Sequence, residues 1–324
     1  MTIFIIILSV IIILSIVSGL SAVISLFFNN LEKFEENTFI LSTHNSMYNN
    51  LGDSISDIFF NKLSNKKFKN VNFAYKNTSY LTIGSILIKC KSNNIVYGSG
   101  FISENDNLGS PDNSEWKYEN KVYEIPKKIL SVRGPKTRNK LLKMGIDCPE
   151  NYGDPLIILP LIYNNENINI NCKIGLIPHF QDINNEKFKW LNNDIKKQKI
   201  KTKIIDIKTK DYQKFINEIK ECEYIISSSL HGVIISLVYG KKVILTNFSK
   251  LIGDTFKFYD FFESLGIKYN ILEYNDKNLL NNTIKYDKDN LIKIGKDIIN
   301  TCPFLDDNVK NTLSNNWVKY IKNL

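Results

Sequence analysis

The sequence predicts an α/β protein with two doubly wound lobes that follow an N-terminal transmembrane helix. The chain has 324 residues, which is more than one small core needs and enough for two domains of ordinary size. In its second half, strand-like and helix-like segments alternate with short connections, a pattern typical of parallel sheets covered on both faces. The first residues of the chain are almost wholly apolar.

This apolar N-terminus runs from Ile3 to Phe28, and no charged side chain occurs before Glu32. Its length is sufficient to cross a bilayer as a helix, and the lack of a basic start favours a retained signal-anchor over a cleaved leader. The acidic flank at residues 32–36 places the lobes on the lumenal or external side. We therefore expect a single-pass membrane protein with these parts: an anchor at 1–29, an N-terminal lobe at 30–168, a C-terminal lobe at 169–303, and a final helix at 304–324 that packs back on the N-terminal lobe.

The N-terminal lobe contains short apolar runs that end in glycine-serine loops. Such runs precede Gly84-Ser85 and Gly98-Ser-Gly-Phe101, and loops of this kind make Ser99 a candidate ligand-binding residue. Residues 50–63 predict a loop followed by a helix, and residues 135–144 predict a second helix with proline in its first turn. We expect strands in this lobe at four segments: 71–74, 80–83, 95–96 and 129–132.

The C-terminal lobe alternates strands and helices more regularly. Because its connections are short, the strands are expected to lie parallel, with the loops that follow them at one edge of the sheet. Those loops carry His179 and the segment Ser227-Ser-Ser-Leu-His-Gly232. The predicted strands lie at 172–177, 200–207, 224–226 and 243–245. The predicted helices lie at 188–197, 212–222 and 233–239, and two more begin near residues 256 and 287.

Arginine is almost absent from the chain. Of 42 basic side chains only Arg133 and Arg138 are arginine, and both lie in Val132-Arg-Gly-Pro-Lys-Thr-Arg138. A guanidinium grips a carboxylate or phosphate with two parallel hydrogen bonds, which the ammonium group of lysine cannot imitate. Arg133 is therefore a candidate for holding an oxyanion in a fixed orientation. Arg138 is a second candidate, and the alternative for it is an ion pair with a helix acid.

Charge and cysteine content argue against several classes of partner. The formal net charge is +9, but the lysines are scattered along the chain and form no basic block with interleaved aromatics, so we expect no nucleic-acid partner. The five cysteines have no CxxC or Cys/His ligand spacing, and no histidine-rich cluster is present. The sequence therefore predicts an activity that needs no metal and no cofactor.

The segment Ser227-Ser-Ser-Leu-His-Gly232 is the most specific candidate site, because it lies between a predicted strand and a predicted helix. Serines there cap the helix and leave backbone amides for an anion, reinforced by the helix dipole. His231 would face that anion from the first helical turn, and the anion-binding set comprises Ser228, Ser229, Leu230 and Gly232. The alternative is a serine-rich cap with a histidine packed between the lobes.

Six motifs follow one another in a fixed order: Asn50-Leu-Gly-Asp53, Gly98-Ser-Gly-Phe101, Val132-Arg-Gly-Pro-Lys-Thr-Arg138, Tyr152-Gly-Asp-Pro155, Ile174-Gly-Leu-Ile-Pro-His179 and Ser227-Ser-Ser-Leu-His-Gly232. Together they resemble the polysaccharide pyruvyl transferase family, from about residue 45 to residue 265. The resemblance implies two Rossmann-like lobes in a GT-B-like arrangement. It also implies transfer of pyruvate from phosphoenolpyruvate to two hydroxyls of a glycan sugar, which yields a cyclic ketal and phosphate. Many members carry arginine before Leu-His-Gly, where this chain has Ser229.

This chemistry requires one general acid for carbon 3 of phosphoenolpyruvate and fixed positive charge near two anionic groups. We expect His231 to be the acid and Arg133 to hold the phosphate or carboxylate of the donor. Asp53 and Asp154 are candidates for the base that deprotonates the sugar hydroxyl, although aspartate in such settings is often a turn or cap residue. His179, which also follows a predicted strand, is expected to face the same cleft.

Two other functions fit the same sequence. A GT-B glycosyltransferase with a nucleotide-sugar donor would share the architecture, because a fold alone does not choose the donor. A non-catalytic, membrane-anchored glycan-binding protein would keep the cleft without turnover, and Ser229 in place of arginine favours that alternative.

Overall fold

The computed structural model describes residues 38–43, 50–73, 75–105, 124–249 and 255–324. Within this part of the chain, residues from Ile40 onward form one compact unit. The unit contains two five-stranded sheets. Helices cover both sheets, and most of them are amphipathic, with one buried apolar stripe and lysine-rich outer positions.

The first sheet has the strand order β2-β1-β3-β4-β5. The pairs β1–β3, β3–β4 and β4–β5 are parallel. The strands are β1 (Thr38–Ser42), β2 (Lys67–Val71), β3 (Ser79–Leu81), β4 (Asn94–Tyr97) and β5 (Lys128–Ser131). The helices of this half are α1 (Leu51–Ser54), α2 (Ser56–Ser64) and α3 (Pro135–Lys143).

The second sheet has the strand order β10-β9-β8-β6-β7, and all of its neighbouring strands are parallel. The strands are β6 (Cys172–Ile177), β7 (Thr202–Ile204), β8 (Cys222–Ser227), β9 (Lys242–Asn247) and β10 (Leu272–Glu273). The helices are α4 (Glu186–Lys197), α5 (Tyr212–Lys220), α6 (Leu230–Val238), α7 (Phe256–Ser264), α8 (Lys288–Thr301) and α9 (Asp307–Asn323).

Both sheets have the same topology. When the strands of each sheet are counted in chain order, both read 2-1-3-4-5, which is a doubly wound order. In such a sheet the direction of winding reverses between the first and third strands, and ligands bind at the carboxyl ends of those strands. The predicted α/β architecture with two doubly wound sheets is therefore confirmed.

Helix α6 is buried along its whole length. It packs on β8 and β9 on one side and on a 3₁₀ segment at Pro155–Leu161 on the other. A helix that is apolar on every side is stable only when it is enclosed in this way. The enclosure brings the first turn of α6 close to residues from the first half of the chain.

The C-terminal third of the chain returns to the first sheet. Phe256 at the start of α7 packs into the core formed by Leu81, Val96 and Val132. Phe304, between α8 and α9, lies with its ring centroid 4.9 Å from that of Phe60. Helix α9 itself packs on α8 and on the Pro155–Leu161 segment. Apolar contacts made by these C-terminal segments thus connect the two sheets.

One part of the predicted fold is wrong. In the part of the chain that the structure describes, no helix is long and apolar enough to cross a membrane. The longest described helix, α9, has 17 residues and carries Lys310, Lys319 and Lys322, whereas a membrane-spanning helix needs about 20 predominantly apolar residues. This finding contradicts the predicted N-terminal transmembrane helix and the single-pass membrane localisation. The expected span at residues 1–29 lies outside the described residues.

Candidate active site

His231 lies in the first turn of α6, directly after β8. Ser229 caps this helix, because its Oγ accepts a hydrogen bond from the amide of Gly232 at 3.5 Å. At the end of β8, Ser227 pairs with Ile177 at the end of β6, so the loops after these two strands flank the switch point of the second sheet. His231 is only 6% exposed. The chain therefore holds an imidazole inside the position where doubly wound proteins bind ligands.

A buried carboxylate faces the imidazole of His231. Asp154 Oδ2 lies 3.7 Å from His231 Nε2, which is longer than a hydrogen bond. The other oxygen, Oδ1, accepts from the amide of Leu156 at 3.0 Å and caps the Pro155–Leu161 segment. Among the described residues neither Asp154 Oδ2 nor His231 Nε2 has a hydrogen-bond partner. An unpartnered buried polar atom costs about 1–3 kcal/mol, so two that face each other across a gap are expected to be completed by a ligand.

Asp154 reaches this position through the end of the first sheet. Val132 forms a parallel bridge with Tyr152, and the amide of Gly153 donates to the carbonyl of Val132 at 3.0 Å. The Tyr152-Gly-Asp-Pro155 turn therefore continues the sheet beyond β5, and it delivers the carboxylate to α6. Each half of the chain thus contributes one member of the pair.

Gly52 of helix α1 closes the other side of the imidazole. A Cβ atom on Gly52 would lie 1.7 Å from His231 Nδ1, so no residue other than glycine fits there without moving the imidazole. The amide of Leu51 donates to the carbonyl of Ile207 at 2.8 Å, which ties α1 to the loop after β7. Asp53 follows Gly52 in α1, and its side chain lies outside the described part of the structure.

A hydrogen-bond network joins the loops that follow β6, β8 and β9. The amide of His179 donates to Ser228 Oγ at 2.8 Å, and Ser228 Oγ donates to Asp182 Oδ2 at 2.6 Å. The second oxygen of Asp182 accepts from Ser249 Oγ, also at 2.6 Å. Since the amide of Ser228 donates to Ile177, both polar groups of Ser228 serve this network. The hydroxyl and the amide of Ser228 are thus engaged within the protein, and its role as an anion ligand stays a prediction.

The first turn of α6 leaves fewer free amides than the sequence predicts. The amide of Ser229 donates to Ser227 Oγ at 3.0 Å, and that of Gly232 is capped by Ser229. A helix N-terminus cannot satisfy its first amides from within the helix, so those of Leu230 and His231 are the ones available for an anion. A Cβ on Gly232 would lie 2.5 Å from Ser227 Oγ, which gives Gly232 a packing role.

His179 is held uncharged by its surroundings. Burial, with smaller effects of the nearby Lys257 and His231, lowers the pKa of His179 from 6.5 to about 3. Lys257 lies on α7, is 7% exposed, and has its ammonium 5.3 Å from the centre of the Phe258 ring. These electrostatic effects indicate that two imidazoles and a buried lysine converge where the loops of the second sheet meet α7.

Arg133, which the sequence predicts to hold the donor, binds groups of the protein itself. Arg133 is fully buried, and its Nε donates to Asp260 Oδ2 at 3.0 Å. Its Nη1 and Nη2 donate to Ser85 Oγ and to the carbonyl of Phe101. Thr137 completes the carboxylate, with its amide at 2.8 Å and its hydroxyl at 2.7 Å. The guanidinium thus binds a carboxylate of α7 through one hydrogen bond, and its other nitrogens bind groups of the first half of the chain.

Ser99 also serves the surroundings of Arg133. Its hydroxyl donates to the carbonyl of Gly84 at 3.1 Å, and its carbonyl accepts from the amide of Arg133 at 3.1 Å. A Cβ on Gly100 would lie 2.6 Å from the guanidinium carbon. The glycine-serine loop after β4 therefore wraps a buried arginine rather than an anion, which removes Ser99 from the set of candidate ligand-binding residues.

Arg138 has a local partner as well. Its Nε donates to the carbonyl of Cys148 at 3.0 Å, and its Nη1 lies 4.0 Å from Glu150 Oε1. Both acceptors lie in the turn that follows α3. Arg138 thus supports that turn, so we do not retain it as a site residue.

Two residues of the site region lack a clear signal in the sequence. Asp182 follows His179 by three positions, in the loop after a strand, and its position at the sheet edge is the only hint of its role. Lys257 stands between two phenylalanines in an apolar helix start, where a buried charge is unusual. Neither signal identifies the partner of the residue.

Among the described residues, no group of three or more His, Cys, Asp or Glu side chains is placed to hold a metal ion. The five cysteines are buried and free. Burial raises the pKa of the Cys90 thiol to about 12, so this thiol is inert at neutral pH. The expected absence of a metal and a cofactor stays a prediction.

Two doubly wound sheets, with a buried carboxylate and imidazole and a helix N-terminus at the carboxyl edge of the second sheet, define an α/β protein with a candidate active site at the position where doubly wound proteins bind ligands. The family model for polysaccharide pyruvyl transferase matches residues 42–249. The match covers more than half of the chain, so the chain belongs to the polysaccharide pyruvyl transferase family and is a transferase. Asp154, His179 and His231 lie within the match, and Lys257 lies beyond it.

A viral protein is similar to this chain. The uncharacterized protein L143 of Acanthamoeba polyphaga mimivirus is 26% identical to this chain over 230 residues. The similar region covers 68% of this chain and 72% of the viral protein.

Proposed function

We propose that the chain transfers pyruvate from phosphoenolpyruvate to two hydroxyls of a glycan sugar, which forms a cyclic ketal and releases phosphate. Family membership supports the reaction class. The observation that carries the proposal for this site is the pair of unpartnered atoms, Asp154 Oδ2 and His231 Nε2, which face each other 3.7 Å apart. An acid and a base on either side of one gap are what proton transfer to the donor and from the acceptor requires.

The donor carries a phosphate and a carboxylate. The amides of Leu230 and His231 at the N-terminus of α6 are suited to one of these groups, because the helix dipole adds positive potential there. Lys257 supplies a full positive charge from α7, and its burial strengthens the field that it exerts. Many members of the family carry arginine at the position of Ser229. We assign the donor-binding role of that arginine to Lys257.

Protonation of carbon 3 of the donor starts the reaction. The imidazolium of His231 gives a proton to carbon 3, which becomes a methyl group and leaves carbon 2 electron-deficient. A bound multianionic donor favours the charged form of His231, so protonation is coupled to donor binding. Fixed positive charge beside the phosphate stabilises the negative charge that grows as the phosphate leaves.

The acceptor then adds twice to carbon 2. The oxygen of one sugar hydroxyl bonds to carbon 2, the bond between carbon 2 and the phosphate oxygen breaks, and the second hydroxyl closes the ketal ring. Of the two hydroxyl protons, one restores the imidazolium that lost its proton to carbon 3, and the other leaves with phosphate. Asp154 is our candidate for the base that removes the proton of the first sugar hydroxyl. Asp53, which follows Gly52 in the sequence, is the second candidate. Neutral His179 orients a sugar hydroxyl by hydrogen bonding.

The test of this proposal is formation of the product. The full chain is incubated with phosphoenolpyruvate and a panel of galactosides, glucosides and N-acetylhexosaminides, and pyruvyl ketals are sought by mass spectrometry together with phosphate release. Asp154→Asn is expected to abolish the product, because an amide cannot take a proton. Asp287→Asn is the matched control, since Asp287 also caps a helix through its carboxylate, with the amide of Asp289 at 2.6 Å, and asparagine caps equally well.

Three results would contradict the proposal. Transfer of sugar from a nucleotide sugar, without consumption of phosphoenolpyruvate, would support the glycosyltransferase. Glycan binding without turnover of any donor would support a binding protein. Wild-type product formation in Asp154→Asn would show that the carboxylate of Asp154 takes no proton in the reaction.

A further inference from the structure

A second concave site lies on the face of the second sheet that α4 covers. Helix α4 and the segment after β10 enclose a cavity of about 710 Å³ there, a size suited to a small ligand or a few sugar units. Its floor is apolar and includes Ile174 of β6 and Ile226 of β8, both of which belong to the core of this half of the chain. None of the residues proposed for pyruvyl transfer lines it.

The mouth of this cavity has an aromatic corner. Trp190 of α4 is 49% exposed, whereas Trp317 is fully buried. The Trp190 ring meets the Tyr274 ring edge to face, with centroids 5.5 Å apart and planes at 84°. Tyr274 is held in turn by Phe248 and by the ammonium of Lys187, which lies 5.4 Å from its ring centre. A large aromatic ring that is kept rigid and half exposed offers an apolar face to a ligand.

The remaining polar side chains at the mouth are mostly amides, together with carboxylates. Asn275, Asn278 and Asn281 lie on the segment after β10, Asp194 lies on α4, and Gln198 caps the C-terminus of α4. Gln198 Nε2 donates to Asp194 Oδ2 at 2.9 Å, which leaves the amide oxygen of Gln198 as an acceptor. Primary amides provide donors and acceptors together.

This chemistry selects one class of occupant. A pyranose has an apolar C–H face that packs on an aromatic ring, and its edge of hydroxyls both donates and accepts hydrogen bonds. A phosphate-bearing ligand would need several cations, and Lys277 is the sole basic residue among those that line the cavity. A lipid chain would need an apolar mouth, whereas this one carries amides, carboxylates and Lys277 beside its two aromatic rings.

We propose that this cavity, bounded by Trp190 and Tyr274, is a glycan-binding subsite that holds an uncharged sugar unit of the acceptor chain. The inference rests on the proposed function, in which the acceptor is a glycan. Helix α4 follows the loop that carries His179, and Tyr274 directly follows β10, so both walls start from the sheet edge at which His231 lies. An acceptor that occupies both the site at His231 and this subsite is an oligosaccharide rather than a single sugar.

The experiment compares long and short acceptors on the full chain. Affinity is measured by calorimetry for tetrasaccharides of glucose, galactose and N-acetylglucosamine, and KM for the corresponding methyl glycosides is measured alongside. Trp190→Ala should weaken tetrasaccharide binding about tenfold, since an aromatic contact of about 1.4 kcal/mol is one factor of ten in affinity. Methyl glycoside KM should stay unchanged, and Trp190→Phe should keep most of the affinity.

Ile170→Ala is the matched control, because Ile170 is a large apolar residue with 61% exposure that does not line the cavity. It should bind the tetrasaccharides as the wild type does, and thermal unfolding should show both variants folded. Binding that depends on Trp190, in a chain that makes no pyruvyl ketal, would uphold the subsite and refute the proposed reaction. Wild-type affinity in Trp190→Ala, or no binding of any tetrasaccharide by the wild type, would overturn the subsite.

Discussion

Replacement of Arg133 separates a structural role from a role in donor binding. Arg133→Met leaves the carboxylate of Asp260 buried without its cation. Loss of one partner of a buried ion pair costs about 3–5 kcal/mol. Because Asp260 keeps two hydrogen bonds from Thr137, we expect the lower end of that range, about 3 kcal/mol of unfolding free energy.

Arg133→Lys retains the charge but loses the fork. The guanidinium bonds three acceptors on three segments, namely Asp260, Ser85 and Phe101, and one ammonium group cannot reach all of them. Two lost hydrogen bonds predict a decrease of about 1–3 kcal/mol. Affinity for phosphoenolpyruvate should remain within about threefold of the wild type. A threefold change in affinity corresponds to less free energy than one hydrogen bond contributes.

The assay is urea unfolding followed by circular dichroism, with donor affinity from calorimetry on the folded variants. The double variant Arg133→Met with Asp260→Asn should recover part of the lost stability, because no lone charge is then buried. Unchanged stability of Arg133→Lys, combined with at least about tenfold weaker donor binding, would refute the structural role and return Arg133 to the donor site.

Two further predictions concern the histidines. The pKa of His179 is lowered from 6.5 to about 3, so its contribution to stability is complete above about pH 6.5 and is lost as the pH falls toward 3. His179→Gln should flatten this part of the plot of unfolding free energy against pH, and an unchanged slope would contradict the burial of a neutral imidazole. Gly52→Ala places a methyl group against the imidazole of His231 and should reduce phosphate release about hundredfold, whereas wild-type turnover would contradict the packing of α1 on His231.

The apolar pattern of the sequence locates the central strands well. Segments 172–177, 224–226 and 243–245 coincide with β6, β8 and β9, because strands buried on both faces are continuous apolar runs. The edge strand β2 is displaced from its predicted position at 71–74 to Lys67–Val71. Its sequence Lys-Phe-Lys-Asn-Val is largely polar, which is typical of an edge strand and gives no apolar signal.

The part of the site that lies within one short segment of the sequence is predictable. A histidine in the first turn after a strand, with a serine cap before it, follows from the strand-loop-helix pattern alone. The partner of Arg133 does not, since Asp260 is 127 positions away in the sequence. Rarity of arginine indicates a need for a planar fork, but only the packing of α7 on the first sheet shows which anion the fork binds. The positions of Gly52 and Lys257 likewise depend on distant contacts.

The most direct test of the proposed catalytic pair is the turnover of His231→Gln with phosphoenolpyruvate and the best acceptor of the panel. Phosphate release is measured under conditions in which circular dichroism shows that the variant is folded. We predict a decrease of at least about hundredfold, in keeping with the contribution of a general acid. Turnover within about threefold of the wild type would contradict the role of His231 as the acid.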